Sequence, residues 1–71
     1  MPMTNPKPLT SSEINILQLM AQGYNVKEIA DELHLKENTI RSYKKNIYEK
    51  LEVNKATSAV LKATKLGHIK F

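Results

Sequence analysis

Asn38, Arg41, Ser42 and Lys45 recur at three- and four-residue intervals within the stretch KENTIRSYKKNIYEK, residues 36 to 50. An arginine can donate two hydrogen bonds to the O6 and N7 of guanine. A lysine can do likewise or take a phosphate, and asparagine or serine can reach base edges or backbone oxygens. The spacing puts all four on one side of a helix, with Glu49 further along the same side. Such a set reads nucleic acid if the helix is held so that its first half enters a groove. A solvated face of mixed Lys and Glu has a similar composition. Lys36 argues against that plainer reading, because a cation at a helix start opposes the macrodipole and gains a purpose only when a phosphate lies close.

The rest of the chain offers no competing chemistry. There is no cysteine, so disulfides and thiolate metal sites are excluded and a reducing compartment, the cytoplasm, is the natural setting. His34 and His68 are far apart and have no partners at metal-ligand spacing. Glu13 and Glu28 are placed for capping, and the other carboxylates read as surface residues. No nucleophile and base stand at a motif spacing and no glycine-rich loop is present to hold a phosphate. The expectation is a protein that is not an enzyme, with no catalytic residues, no metal, no cofactor and no small-molecule substrate. No run reaches the roughly 18 apolar residues of a membrane span, and MPMTNPKP lacks the apolar centre of a signal peptide.

Charge supports an anionic partner mainly through where it sits. The chain carries 11 Lys and Arg against 7 Asp and Glu, a net +4. Residues 36 to 50 hold Lys36, Arg41, Lys44, Lys45 and Lys50 against Glu37 and Glu49, so most of the excess lies in that one stretch.

A chain of 71 residues is one domain near the lower limit for an unstapled core. All three prolines fall in residues 1–8, which reads as a flexible arm or the end of a linker, with the folded domain over 9–71. The body is all-α, since no period-two alternation appears. Thr10 and Glu13 have the spacing of a capping box and open a helix over about 11–22 that buries Ile16, Leu17, Leu19 and Met20 and stops at Gly23. Asn25 and Glu28 repeat that logic for a short second helix with Ile29, Ala30 and Leu33 inward. A third helix runs from about 37 to 51 with Ile40, Ile47 and Leu51 inward. Asn54 is the expected cap of a fourth helix that buries Ala56, Ala59, Val60, Ala63 and Leu66 and ends near Gly67, leaving HIKF as a tail.

Between the second and third helices, Ala30, His34 and Ile40 have the spacing of a helix-turn-helix. Two helices crossing at about 90–120° need a small residue at closest approach, a turn residue tolerant of positive φ and an apolar anchor for the second helix. Histidine is enriched at positive φ, so His34 can serve where glycine is usual. A general helical hairpin would show the same spacing, and the exposed cations of the third helix are what favour a DNA-binding one.

The stretch LTSSEINILQLMAQGYNVKEIADELHLKENTIRSYKKNIYEKLEV resembles the LuxR-type, or GerE-like, DNA-binding domain found in NarL/FixJ-type response regulators. The likeness extends from Leu9 to about Ile69. It includes Leu9, Thr10, Glu13, Gly23, the run Lys27 to Ala30, Thr39, Ile47, Lys50, Leu51 and Val53 in register. It implies a four-helix domain with helices two and three as the motif and helix four as a dimerisation helix. It also implies binding to double-stranded DNA as a dimer on an inverted repeat, in a bacterial transcriptional regulator, usually as the output domain of a response regulator. Arg41, Ser42 and Lys45 then fall on base-contacting positions. Asn25, Val26, Lys27, Asn38, Thr39, Tyr43 and Lys44 fall on or beside backbone-contacting ones, and Lys36 joins them by its charge. Departures from the family pattern are Lys36 for serine, Tyr43 for histidine, Lys44 for an apolar residue, Val26 for a polar one, and Ser12 and Ala56 for arginines.

On the fourth helix Thr57, Leu61, Thr64, Lys65 and His68 lie away from the core stripe, and the resemblance makes them the seam of a weak homodimer. The alternative from another class keeps the fold but makes it a helical interaction module that engages another regulator or RNA polymerase without binding DNA.

Overall fold

The computed structural model describes residues 8–70, so the arm expected over 1–8 lies, Pro8 aside, outside the described residues, as does Phe71. Four helices form there: α1 Ser11–Ala21, α2 Val26–Leu33, α3 Glu37–Leu51 and α4 Ala56–Lys65. No strand occurs among the described residues.

The first two helices start on side chains placed to satisfy their orphan N–H groups. The Thr10 hydroxyl accepts from the Glu13 N–H at 3.2 Å while the Glu13 carboxylate accepts from the Thr10 N–H at 2.8 Å. Asn25 and Glu28 form the same reciprocal pair at 2.9 Å in both directions. By contrast, α3 and α4 start at Lys36 and Lys55 with no side-chain cap.

All four helices end alike. The N–H two residues past each last turn reaches back to a carbonyl five residues earlier, from Tyr24 to Leu19, Leu35 to Ala30, Val53 to Tyr48 and His68 to Ala63. Such a Schellman ending needs a left-handed residue. Gly23 and Gly67 supply it at two ends, His34 at φ 58° and Glu52 at φ 57° at the others.

The core is drawn from every helix: Ile16 and Leu17, Ile29 and Ala30, Ile40, Ile47 and Leu51, then Ala59, Val60 and Ala63. The helices α1 and α3 each pack on the other three, whereas α2 and α4 flank that central pair on separate sides and do not touch.

Two expectations for the last third need correction. Asn54 does not cap α4, because after the left-handed turn at Glu52 the chain is still extended at Lys55, which takes the cap position, and becomes helical only at Ala56. Leu66 is not in the core; it is 58% exposed, and Ile69 is buried in its stead. The turn at Gly67 folds the end of the chain back onto α1, where the Gln18 side chain donates to the Lys70 carbonyl at 2.7 Å and accepts from its N–H at 3.3 Å. Residues 68–70 are therefore docked rather than a loose tail, and Ala56 is only half-buried.

Candidate nucleic-acid interface

The angle between α2 and α3 is fixed by three residues. Ala30 is nearly inaccessible, which permits close approach of the helices, and Ile40 is fully buried as the anchor of α3. His34 takes the left-handed conformation that turns the chain between them. For a non-glycine residue that conformation carries a steric cost, here offset by two backbone hydrogen bonds closing the end of α2.

With Ile40, Ile47 and Leu51 all inward, the rotation of α3 is determined. Asn38, Arg41, Ser42, Lys45 and Glu49 are all exposed, on the side opposite the core. The Arg41 guanidinium donates to the Asn38 side-chain oxygen at 3.3 Å and lies 3.4 Å from the Glu37 carboxylate. Both partners of that ion pair are about half exposed, so the pair is weak and leaves the guanidinium free to exchange it for a stronger acceptor. Lys44 and Lys45 have no ion-pair partner among the described residues. Thr39, Tyr43 and Lys44 lie half-buried along the margins of the helix, and Lys36 stands exposed at its uncapped start.

At the start of α2, Lys27 is exposed and Val26 half-buried. The Asn25 side-chain oxygen is taken by the Glu28 N–H, so a contact from Asn25 would have to use its amide NH₂. Between this start and α3 runs a groove of about 450 Å³, lined by Val26, Arg41, Lys44, Lys45, Tyr48, Glu49 and Val53. Tyr48 and Val53 line the floor of this groove and are not among the DNA contacts expected from the sequence. The signal was present for Tyr48, which continues the stripe of Arg41 and Lys44 at helical spacing.

The far end of α3 is held differently. Lys50, one of the cations counted in the 36–50 stretch, donates to the Glu13 carboxylate at 2.7 Å and to the Pro8 carbonyl at 3.3 Å. Glu13 is 3% exposed. Burial alone would push its carboxyl up, but hydrogen bonds from Lys50 and the Thr10 N–H, with the Lys50 charge, outweigh that and hold it below the usual carboxylate range. One carboxylate thus caps α1 and fastens α3 to it. The two residues stand 37 apart in sequence, and no local pattern announces the pairing.

On α4, Thr57, Leu61 and Lys65 are exposed; His68, expected on the same helix, is exposed but lies beyond its end, past the turn at Gly67. Thr64 is half-buried and its hydroxyl donates to the Val60 carbonyl at 2.8 Å, so it is less available than its helical position suggests. A shallow recess of about 240 Å³ lies alongside, bounded by Met20, Ala21, Ala56, Thr57, Val60 and Leu61. Among the described residues no group of His, Asp and Glu could hold a metal ion. No helix among the described residues is long and apolar enough to cross a membrane.

A compact helix-turn-helix with this face matches known proteins over residues 7–63, in the family described as bacterial regulatory proteins of the luxR family. The chain belongs to the LuxR family. Members of this family are DNA-binding regulators rather than enzymes. The LuxR-family chain is 44% identical over 63 residues to the transcriptional regulatory protein DesR of Bacillus subtilis, covering 89% of this chain and 32% of DesR. It is 39% identical over 62 residues to DegU of Brevibacillus brevis, covering 87% of this chain and 26% of DegU. It is also 44% identical over 55 residues to the response regulator VraR of Staphylococcus aureus, covering 78% of this chain and 26% of VraR. It therefore spans about a third or less of these relatives. Its fold superposes on the transcription factor GerE with a TM-score of 0.83 at 34% identity, over 87% of this chain and 92% of GerE. ChrA, a response regulator in a heme-sensing two-component system, gives 0.87 at 33% identity, over 89% of this chain and 31% of ChrA.

Proposed function

We propose that this LuxR-family chain binds double-stranded DNA sequence-specifically, as the cytoplasmic output domain of a bacterial response regulator, with the folded domain over 9–71. The observation that carries the reading is the single exposed face of Asn38, Arg41, Ser42 and Lys45 on the N-terminal half of α3, set at a fixed rotation by Ile40 and Ile47. In the major groove, Arg41, Ser42 and Lys45 contact bases. Asn25, Val26, Lys27, Lys36, Asn38, Thr39, Tyr43 and Lys44 contact or border the phosphate backbone on either side. The open N–H groups at the start of α3 add an anion-favouring dipole to the lysine there.

Two copies pair weakly through Thr57, Leu61, Thr64 and Lys65 of α4 with His68 just past its end, which would set the two recognition helices on an inverted repeat. Leu61, 54% exposed beside the recess at the end of α1, is the apolar centre of that seam. Selection of bound duplexes from a random pool tests the reading directly. A palindromic consensus is expected, and Arg41→Ala should relax one position in each half-site. Absence of duplex binding at low salt would favour the interaction module that engages another regulator or polymerase.

A further inference from the structure

The groove between α2 and α3 has two chemical characters. Its floor is apolar, formed by Val26, Tyr48 and Val53, each half-buried against the core. Its rim carries Arg41, Lys44 and Lys45, with Glu49 the one carboxylate at its edge.

A phosphodiester backbone matches the rim, but its sugar C–H groups are set in the strand and can touch the apolar floor only at its α2 edge, by Val26. An acidic polypeptide segment matches both, because carboxylates and a large apolar side chain can stand within a few residues of each other. The groove has the volume to seat such a side chain and is open enough to admit it from the surface. Arg41 is held by an exposed pair with Glu37 and an exposed hydrogen bond to Asn38, both of which a partner's carboxylate can replace. From the apolar floor and the charge of the rim together, we infer that this groove docks an acidic protein segment with an apolar anchor. The segment occupies Arg41, Lys44 and Lys45 and so excludes DNA from the recognition helix; this second part rests on the DNA-binding reading above. The partner is an antagonist of the regulator.

The test uses the full chain and two synthetic peptides of a dozen residues with equal Asp and Glu content, one carrying leucine and phenylalanine, the other serine in their place. Backbone amide shifts of the isotope-labelled chain are followed with each peptide, and each is then used to displace a labelled duplex. The apolar peptide is expected to shift Val26, Tyr48 and Val53 and to displace the duplex, while the serine peptide does so at least about tenfold more weakly. Val53→Thr keeps the side-chain shape, lies outside the proposed DNA contacts, and should weaken the apolar peptide about fivefold while leaving duplex affinity unchanged. Equal binding of the two peptides overturns the inference, because the face is then a general polyanion surface. Duplex binding with neither peptide bound overturns it also and leaves the DNA reading standing. Shifts confined to the groove in a chain that binds no duplex uphold the docking site and defeat the DNA reading.

Discussion

The two halves of α3 are built to opposite specifications. The first has an uncapped start, exposed polar side chains and cations with weak partners or none among the described residues. The second buries Ile47 and Leu51 and fastens Lys50 to a nearly inaccessible carboxylate on α1. A helix meant to read a surface needs both properties. Its reading end must remain unsatisfied to gain from the partner, and its other end must fix the helix's rotation and tilt so that the reading side chains arrive in register.

The contrast breaks most severely at the anchored end. Lys50→Met should lower stability by about 3 kcal/mol, because it leaves the Glu13 carboxylate buried without its cation. Urea melts of the chain read this directly, and a loss below about 1 kcal/mol would mean the pair does not hold the helix. At the bare end, Arg41→Ala should cost about 2 kcal/mol of duplex affinity while the melting temperature barely moves, since its pair with Glu37 is exposed. A matching fall in stability would erase the distinction between the halves.

Acid should weaken the anchored half. The Glu13 carboxyl is depressed in the folded state, so its contribution is complete above the ordinary value of 4.5 and is lost as pH falls through the lower folded value. Thermal melts between neutral pH and about pH 3 should show that loss, and Glu13→Gln should flatten that part of the curve. The two remaining effects are smaller. Lys36→Ser should supply the missing cap and raise stability by about 1 kcal/mol while weakening duplex binding. Lys44→Ala should reduce the dependence of log affinity on log salt by about 1, and an unchanged slope would remove Lys44 from the phosphate contacts.

The same division marks what could be read from the residues alone. Both capping boxes, the positive φ of His34 and the inward set Ile40, Ile47 and Leu51 follow from spacings of four residues or fewer or from one helical period, and all are present. The exposed face of α3 follows from that same period. The lysine at position 50 could not be understood this way, because its partner is on another helix and the pairing depends on how α1 and α3 cross. The end of the chain was misjudged for a similar reason. Leu66 continues the α4 stripe, but the turn at Gly67 brings Ile69 back into the core, and the Gln18 clasp on Lys70 is set by tertiary approach rather than by any local pattern.

The separation of α2 from α4 has a consequence for how such a domain can change over time. Because the two share no contact, substitutions confined to the outer faces of α2 and of α4 should act nearly additively on stability. A lineage can then change the exposed residues of either flank without a compensating change on the other. The shared middle, α1 and the anchored half of α3, is the part least free to drift.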